Sequence, residues 1–309
     1  MRAPTFKQLN ALVTVLDAAH FGEAARRLNV TQPTLSQQIK TLEDNLGGPL
    51  IDRGGVRATP LGEEVARRAR TVLREVDDLV AAAREVRGGF GGLVRLGVLP
   101  TVGPYLLPPV LRGLHERFPT LRLHVREDRP GPLLAGLHDG RFDMVLGTLP
   151  VGGDWARERP LLEETIRVGV SLDHPLASRA SISREELAGE AMLTLGRGHP
   201  LHAATEALAG AQSATVLTEF EGSSLDAIRQ MVATGLGVAL FPELYVASEI
   251  ERGDDVRVIA LDEPLTRSIG LAWRGTAPRS EQFEALASEL SDAIRIAFPA
   301  YAARVPRAG

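Results

Sequence analysis

The sequence predicts two architectures joined in one chain. An all-α N-terminal unit with a small β wing and a long helix is followed by a two-lobed α/β unit. Three observations predict this. Two short amphipathic stretches meet at a turn between Phe21 and Gly47. An unbroken helical stripe then runs from Pro60 to about Arg87. Beyond the glycine-rich Gly88–Gly92, short apolar strands alternate with helices. A chain of 309 residues is too long for one typical core, so two or three domains are expected.

At the N-terminus, Thr5 and Gln8 form a capping box. Phe6, Leu9, Leu12, Val13 and Leu16 recur at helical spacing up to about Ala19. Ala24, Ala25 and Leu28 give the next helix a small apolar face, and Asn29-Val30 breaks it. Thr31 is a good N-cap for a third helix, and Pro33 sits in its first turn, where a missing N–H costs nothing. Leu35, Ile39, Leu42 and Leu46 form its buried face, and Gly47 closes it in the C′ position.

The opposite face carries Gln32, Pro33, Thr34, Ser36, Gln37, Lys40 and Thr41, with no acid before Glu43. Amides, hydroxyls and a helix N-terminus are groups that donate to phosphates and read base edges. Next, Leu50-Ile51 and Ala58-Thr59 bracket a Gly-Gly turn and predict a two-stranded wing, with Arg53 and Arg57 placed to reach phosphates. The helix from Pro60 has Glu63 and Glu64 in its first turn and a stripe of Val65, Ala69, Val72, Leu73, Val76, Leu79, Val80 and Ala83. About 27 residues of helix span about 40 Å, more than the small unit before it can cover, so a second copy of the same helix is the expected partner.

The α/β half is expected to hold strands at 93–98, 121–125, 144–146, 165–170, 192–195, 215–219, 238–240 and 268–273 in a largely parallel sheet. Helices are expected at 105–118, 133–139, 183–188, 203–208, 224–234 and 280–298. The expected domains are 1–59, a linker helix 60–87, a hinge 88–92 and a regulatory part 93–309. Its lobe I is about 93–164 and 268–300, and its lobe II about 165–267, with a cleft between them.

Composition narrows function. Hydrophobic residues make up 44%, charged residues 24%, and formal net charge is -4, ordinary values for a globular protein. No run of 18 apolar residues and no signal-peptide core is present, so a cytoplasmic location without membrane contact is expected. The absence of cysteine excludes disulfides, thiol catalysis and thiolate metal sites. His199 and His202 lack an adjacent third metal ligand, Ser223, Asp226 and His199 lack a nucleophile elbow, and Gly88–Gly92 lacks the Lys-Ser/Thr of a phosphate loop. Catalytic residues, metal and cofactor are therefore expected to be absent.

These residues together resemble the LysR-type transcriptional regulators along almost the whole chain. The N-terminal pattern is carried by Phe6, Leu9, Ala24-Ala25, Leu28, Thr31-Gln32-Pro33, Leu35-Ser36, Gln38-Ile39, Leu42-Glu43, Leu46-Gly47, Pro49-Leu50, Arg53, Thr59 and Gly62, with Ile51 where phenylalanine is usual. The resemblance implies a winged helix-turn-helix on DNA, a dimerising linker helix and a periplasmic-binding-protein-like effector domain. The second half is similar to the OxyR subgroup of peroxide sensors at LPTVGPYLLP (Leu99–Pro108), FPTL (Phe118–Leu121), GHPL (Gly198–Leu201), SSLDAIRQMVATGLGVALFP (Ser223–Pro242) and RSIGLAWR (Arg267–Arg274). Pro200 and Ala209 stand where that subgroup has its two reactive cysteines, and Pro130 where it has a threonine, while Thr101, His199 and Arg267 match.

The expected effector residues are Thr101, Val102, Thr148, His199, Ser223, Ser224 and Arg267. Thr101 lies just before a helix, Thr148 just after a buried strand, and the serines at a helix start, each of which also fits a plain structural cap. Arg267 has two open partners, an anionic effector or a neighbouring acid. The function expected is a regulator that binds double-stranded promoter DNA as a homodimer or tetramer, answers a small-molecule effector without thiol oxidation, and engages RNA polymerase. The alternatives are a ligand-independent architectural DNA binder and a DNA-tethered enzyme.

Overall fold

The computed structural model describes residues 3–52, 54–85, 92–222, 224–251 and 255–299. The expected hinge residues 88–91, and Arg53 and Ser223, lie outside the described residues. Two compact units form, one from the N-terminal helices and one from the α/β elements.

The first unit holds α1 (Phe6–Ala18), α2 (Phe21–Arg27), α3 (Gln32–Leu46), β1 (Ile51–Asp52), β2 (Arg57–Ala58) and α4 (Pro60–Glu85). The capping box of α1 is present: Gln8 N–H donates to Thr5 Oγ1 at 3.3 Å and Thr5 N–H to Gln8 Oε1 at 2.9 Å. His20 caps α2, its Nδ1 accepting from Glu23 N–H at 3.2 Å. Leu12, Leu35, Leu42 and Leu50 are completely buried where α1, α3 and the wing meet. Antiparallel pairing of Ile51 with Ala58 and Asp52 with Arg57 makes the wing.

Two contacts fix the wing on the helices. Glu43 Oε1 accepts from Leu50 N–H at 2.9 Å and Ile51 N–H at 3.3 Å. Thr59 Oγ1 donates to Pro49 O at 2.7 Å and accepts from Gly62 N–H at 3.0 Å. A Cβ on Gly62 would lie 1.9 Å from Leu50 O, so only glycine permits this approach. Ala66 and Ala69 of α4 are buried in the unit, and Arg70 pairs with Asp17 at 2.7 Å. Further along α4, Val72, Val76 and Leu79 are exposed.

The second unit runs β3 (Gly92–Val98), α5 (Gly103–Arg117), β4 (Leu121–Glu127), α6 (Pro130–His138), β5 (Met144–Leu149), β6 (Ala156–Ser171), β7 (Ser181–Ile182), β8 (Ala191–Leu195), α7 (Pro200–Gln212), β9 (Thr215–Gly222), α8 (Leu225–Ala233), β10 (Val238–Pro242), α9 (Glu243–Tyr245), β11 (Val256–Leu261), β12 (Leu265–Arg274) and α10 (Ser280–Ala297). The strand order β4-β3-β5-β12-β6-β10-β8-β9 is continuous. Parallel pairs occupy its two ends, but β12 and β6 are antiparallel to their neighbours in the middle. The largely parallel sheet expected from the alternation is thus a mixed one. Two long strands cross from one lobe to the other and serve both.

Several bounds are corrected. The strand expected from Thr165 begins at Ala156, α6 begins at Pro130, and α7 spans Pro200–Gln212. The helix expected at 183–188 is one 3-10 turn, Arg184–Leu187, with its Ser183–Glu186 capping box. Each lobe has its own apolar core. One gathers Leu96, Leu106, Leu146, Leu271, Trp273 and Leu286, the other Val168, Met192, Leu193, Leu240, Phe241 and Ile259. Among the described residues no helix is long and apolar enough to cross a membrane.

Candidate functional site

Two regions gather the residues that the sequence singles out. On α3, Thr31 caps the helix, its Oγ1 accepting from Thr34 N–H at 3.3 Å. Gly47 ends it with φ 79°. Leu35, Ile39 and Leu42 are buried, which turns Gln32, Pro33, Thr34, Ser36, Gln37 and Lys40 outward. Gln37 Nε2 reaches Thr41 Oγ1 at 3.4 Å, whereas no hydrogen bond among the described residues engages the side chains of Gln32, Ser36 or Lys40. The first acid of the helix, Glu43, is turned to the wing backbone, so the face carries donors, acceptors and one cation. Arg57 is exposed on the wing.

The second region lies where the long strands cross. Arg267 on β12 and Glu164 on β6 are register partners and point to one face of the sheet. Arg267 is buried, and its Nε donates to Glu164 Oε2 at 2.7 Å. Its Nη1 and Nη2 donate to Thr101 Oγ1 and Thr101 O, both at 3.0 Å. The fully buried Glu164 also accepts from Leu244 N–H at 2.7 Å. Burial pushes its carboxyl above the usual range, while Arg267 and the Leu244 N–H oppose that by favouring the carboxylate.

Thr148 on β5 pairs with Ile269, two residues along β12 from Arg267, and so shares that face. Its Oγ1 is buried without a hydrogen-bond partner. His199 caps α7, its Nδ1 accepting from Leu201 N–H at 3.1 Å. The proton of the neutral ring is therefore on Nε2, which is buried and also without a partner. Burial, with the charge of Arg267 nearby, pushes His199 down to about 4.

That depression has a sign. Below about pH 6.5 the unfolded chain protonates His199 and the folded chain does not, so its contribution to stability is complete above pH 6.5 and is lost as pH falls towards 4. His199→Asn keeps an N-cap acceptor and removes the titration. Its melting temperature should fall less steeply than the parent's from pH 6.5 to 4.5 in differential scanning calorimetry; parallel curves would refute the assignment.

Residues 6–63 match the bacterial regulatory helix-turn-helix protein, lysR family, and residues 87–295 match the LysR substrate binding domain. The chain is 39% identical to a probable hydrogen peroxide-inducible genes activator of Streptomyces viridosporus, over 95% of this chain and 96% of the relative. It is 37% identical to the DNA-binding transcriptional dual regulator OxyR of Escherichia coli, over 94% of each. A solved full-length OxyR variant from Pseudomonas aeruginosa superposes with a TM-score of 0.77 at 31% identity, covering 100% of both chains. The chain belongs to the LysR family of transcriptional regulators.

In this LysR regulator the structure brings Thr101 and Arg267 into contact and sets Thr148 on their face. Of the two partners left open for Arg267, it supplies the acid. Val102 is completely buried at the N-cap of α5 without a side-chain cap bond. The N-terminus of α5 is not the open anion site that the sequence suggests. Val102 and Gly103 N–H both bond to Leu99 O, Pro104 has no N–H, and Tyr105 N–H bonds to Val102 O. Ser224 is exposed and caps α8 through Ala227 N–H at 3.2 Å. Glu164 is the residue that sequence reasoning missed. Its partner stands 103 positions away, and nothing local marks it as buried.

Proposed function

We propose that this regulator binds double-stranded promoter DNA as a homodimer joined along α4, with dimers pairing into tetramers. Thr31, Gln32, Pro33, Thr34, Ser36, Gln37 and Lys40 read base edges in the major groove, and Arg53 and Arg57 hold phosphates. The observation that carries this reading is the outward face of α3, whose Gln32, Ser36 and Lys40 side chains have no hydrogen bond among the described residues. Residues 1–59 act as the reader, 60–87 as the linker, 88–92 as the hinge and 93–309 as the sensor, in the cytoplasm and in concert with RNA polymerase. The sensor holds a small-molecule effector between its lobes, at the site built on Thr101, Val102, Thr148, His199, Ser223, Ser224 and Arg267, and performs no catalysis.

The relatives above are named for hydrogen peroxide induction or as OxyR. With no cysteine in the chain, any response here runs through binding and not through thiol oxidation. An effector shifts the arrangement of dimers only by binding two arrangements unequally.

Fluorescence anisotropy with the promoter duplex and a random duplex tests the division of labour. Gln32→Ala or Thr34→Ala should cost about 1–3 kcal/mol on the promoter and little on the random duplex. Arg57→Ala should weaken both and flatten the salt slope by about one ion. Equal losses on both duplexes for all three variants would contradict the reading.

A further inference from the structure

Every device around this site that would hold an anion is already engaged. The Arg267 guanidinium is buried against the Glu164 carboxylate, and its remaining bonded donors go to Thr101. Both oxygens of Glu164 accept N–H donors, from Arg267 and Leu244, the pattern that suits the ionised acid and leaves the pair neutral. The start of α5 has no free N–H in its first turn. The start of α7 is likewise closed: Pro200 has none, Leu201 N–H goes to His199 Nδ1, and His202 N–H goes to His199 O at 2.9 Å.

What stays open is uncharged. Thr148 Oγ1 and His199 Nε2 are buried and unpartnered, one on each lobe. The imidazole is neutral at physiological pH, because its pKa is pushed down to about 4. A hydroxyl that donates or accepts and an N–H that donates both suit a neutral polar group. An anion brought here would lose its hydration and meet Glu164 as well as Arg267.

We propose that Glu164 sets the charge of the effector: by neutralising Arg267 it makes the site select a small uncharged molecule with a hydrogen-bonding oxygen and refuse its anionic counterpart. This rests on the effector reading above. Without the carboxylate, Arg267 presents a bare buried charge, and the preference reverses.

Acetamide and acetate have the same shape and differ in charge, so they serve as the pair of test molecules. Saturation-transfer NMR on their methyl signals, with the full-length protein at matched ionic strength, reads both directly. Acetamide should bind the parent about tenfold or more tightly than acetate, and Thr148→Val should abolish its signal. Glu164→Gln, which keeps the side-chain shape and an acceptor for Leu244, should gain acetate binding by about tenfold. If acetate binds the parent as well as acetamide does, and Thr148→Val removes both, the site stands and the role of Glu164 is wrong. That comparison needs no Glu164 variant to fold. If neither molecule gives a Thr148-dependent signal in parent or variant, the effector site itself is refuted, and this inference with it.

Discussion

Arg267→Ala should destabilise the α/β unit by about 3–5 kcal/mol, the cost of stranding one member of a buried ion pair. Glu164 is fully buried and would keep only the Leu244 N–H, and Thr101 would lose both guanidinium donors. At about 2–4 °C per kcal/mol for a unit of this size, the melting temperature should drop by roughly 10 °C. The double variant Glu164→Gln/Arg267→Met should recover part of that loss, since a buried pair is often replaceable by neutral groups of similar volume. Calorimetry of the parent, single and double variants completes the cycle. A loss below about 1 kcal/mol for Arg267→Ala would mean that the strand crossing is not held by this network.

Val76→Glu/Leu79→Glu should leave the helix content unchanged and separate the protomers. Val72, Val76 and Leu79 are 47%, 39% and 68% exposed, at the spacing of a helix-pairing seam, and glutamate is as good a helix former as the residues replaced. Two acids facing their symmetry mates would oppose the pairing. Promoter affinity should then fall by about 10²–10⁴-fold, the factor lost when two linked readers become independent. Sedimentation velocity and anisotropy on the same samples check both parts. A variant that remains dimeric would place the protomer interface elsewhere.

The N-terminal half was largely legible because its signals are local. The box of Thr5 and Gln8, the cap at Thr31, the turn glycine at Gly47 and the period of Leu35, Ile39 and Leu42 all act within one or two turns of chain. The α/β half was legible as an alternation but not as a sheet. The first half of β6, ARERPLLEE, contains Pro160 and many charges, and is a strand only because β12 pairs with it across a register shift opposite that proline. The segment Glu243–Ile250, an α-turn running into a π-turn, had no periodic signal long enough to read.

The site shows the same limit. Thr101, His199 and Arg267 were identified through resemblance, and each was placed by the fold near the strand crossing. Glu164 was invisible because its meaning comes from Arg267, which only the antiparallel register of β6 and β12 brings beside it. The reading of α5 as an open anion site failed for a related reason. The turn at Leu99 folds back to accept the Val102 and Gly103 N–H groups, and no cap residue announces that.

The central claim is that paired α3 helices read DNA through their polar outward faces. Hydroxyl-radical footprinting of the purified full-length protein on the DNA upstream of its own coding sequence tests it most directly. The account predicts two protected patches one helical turn apart, about 34–36 Å, both lost in Gln32→Ala/Thr34→Ala at a concentration where the parent protects fully. Protection that persists unchanged in that variant, or no protection of any duplex at low salt, would contradict it.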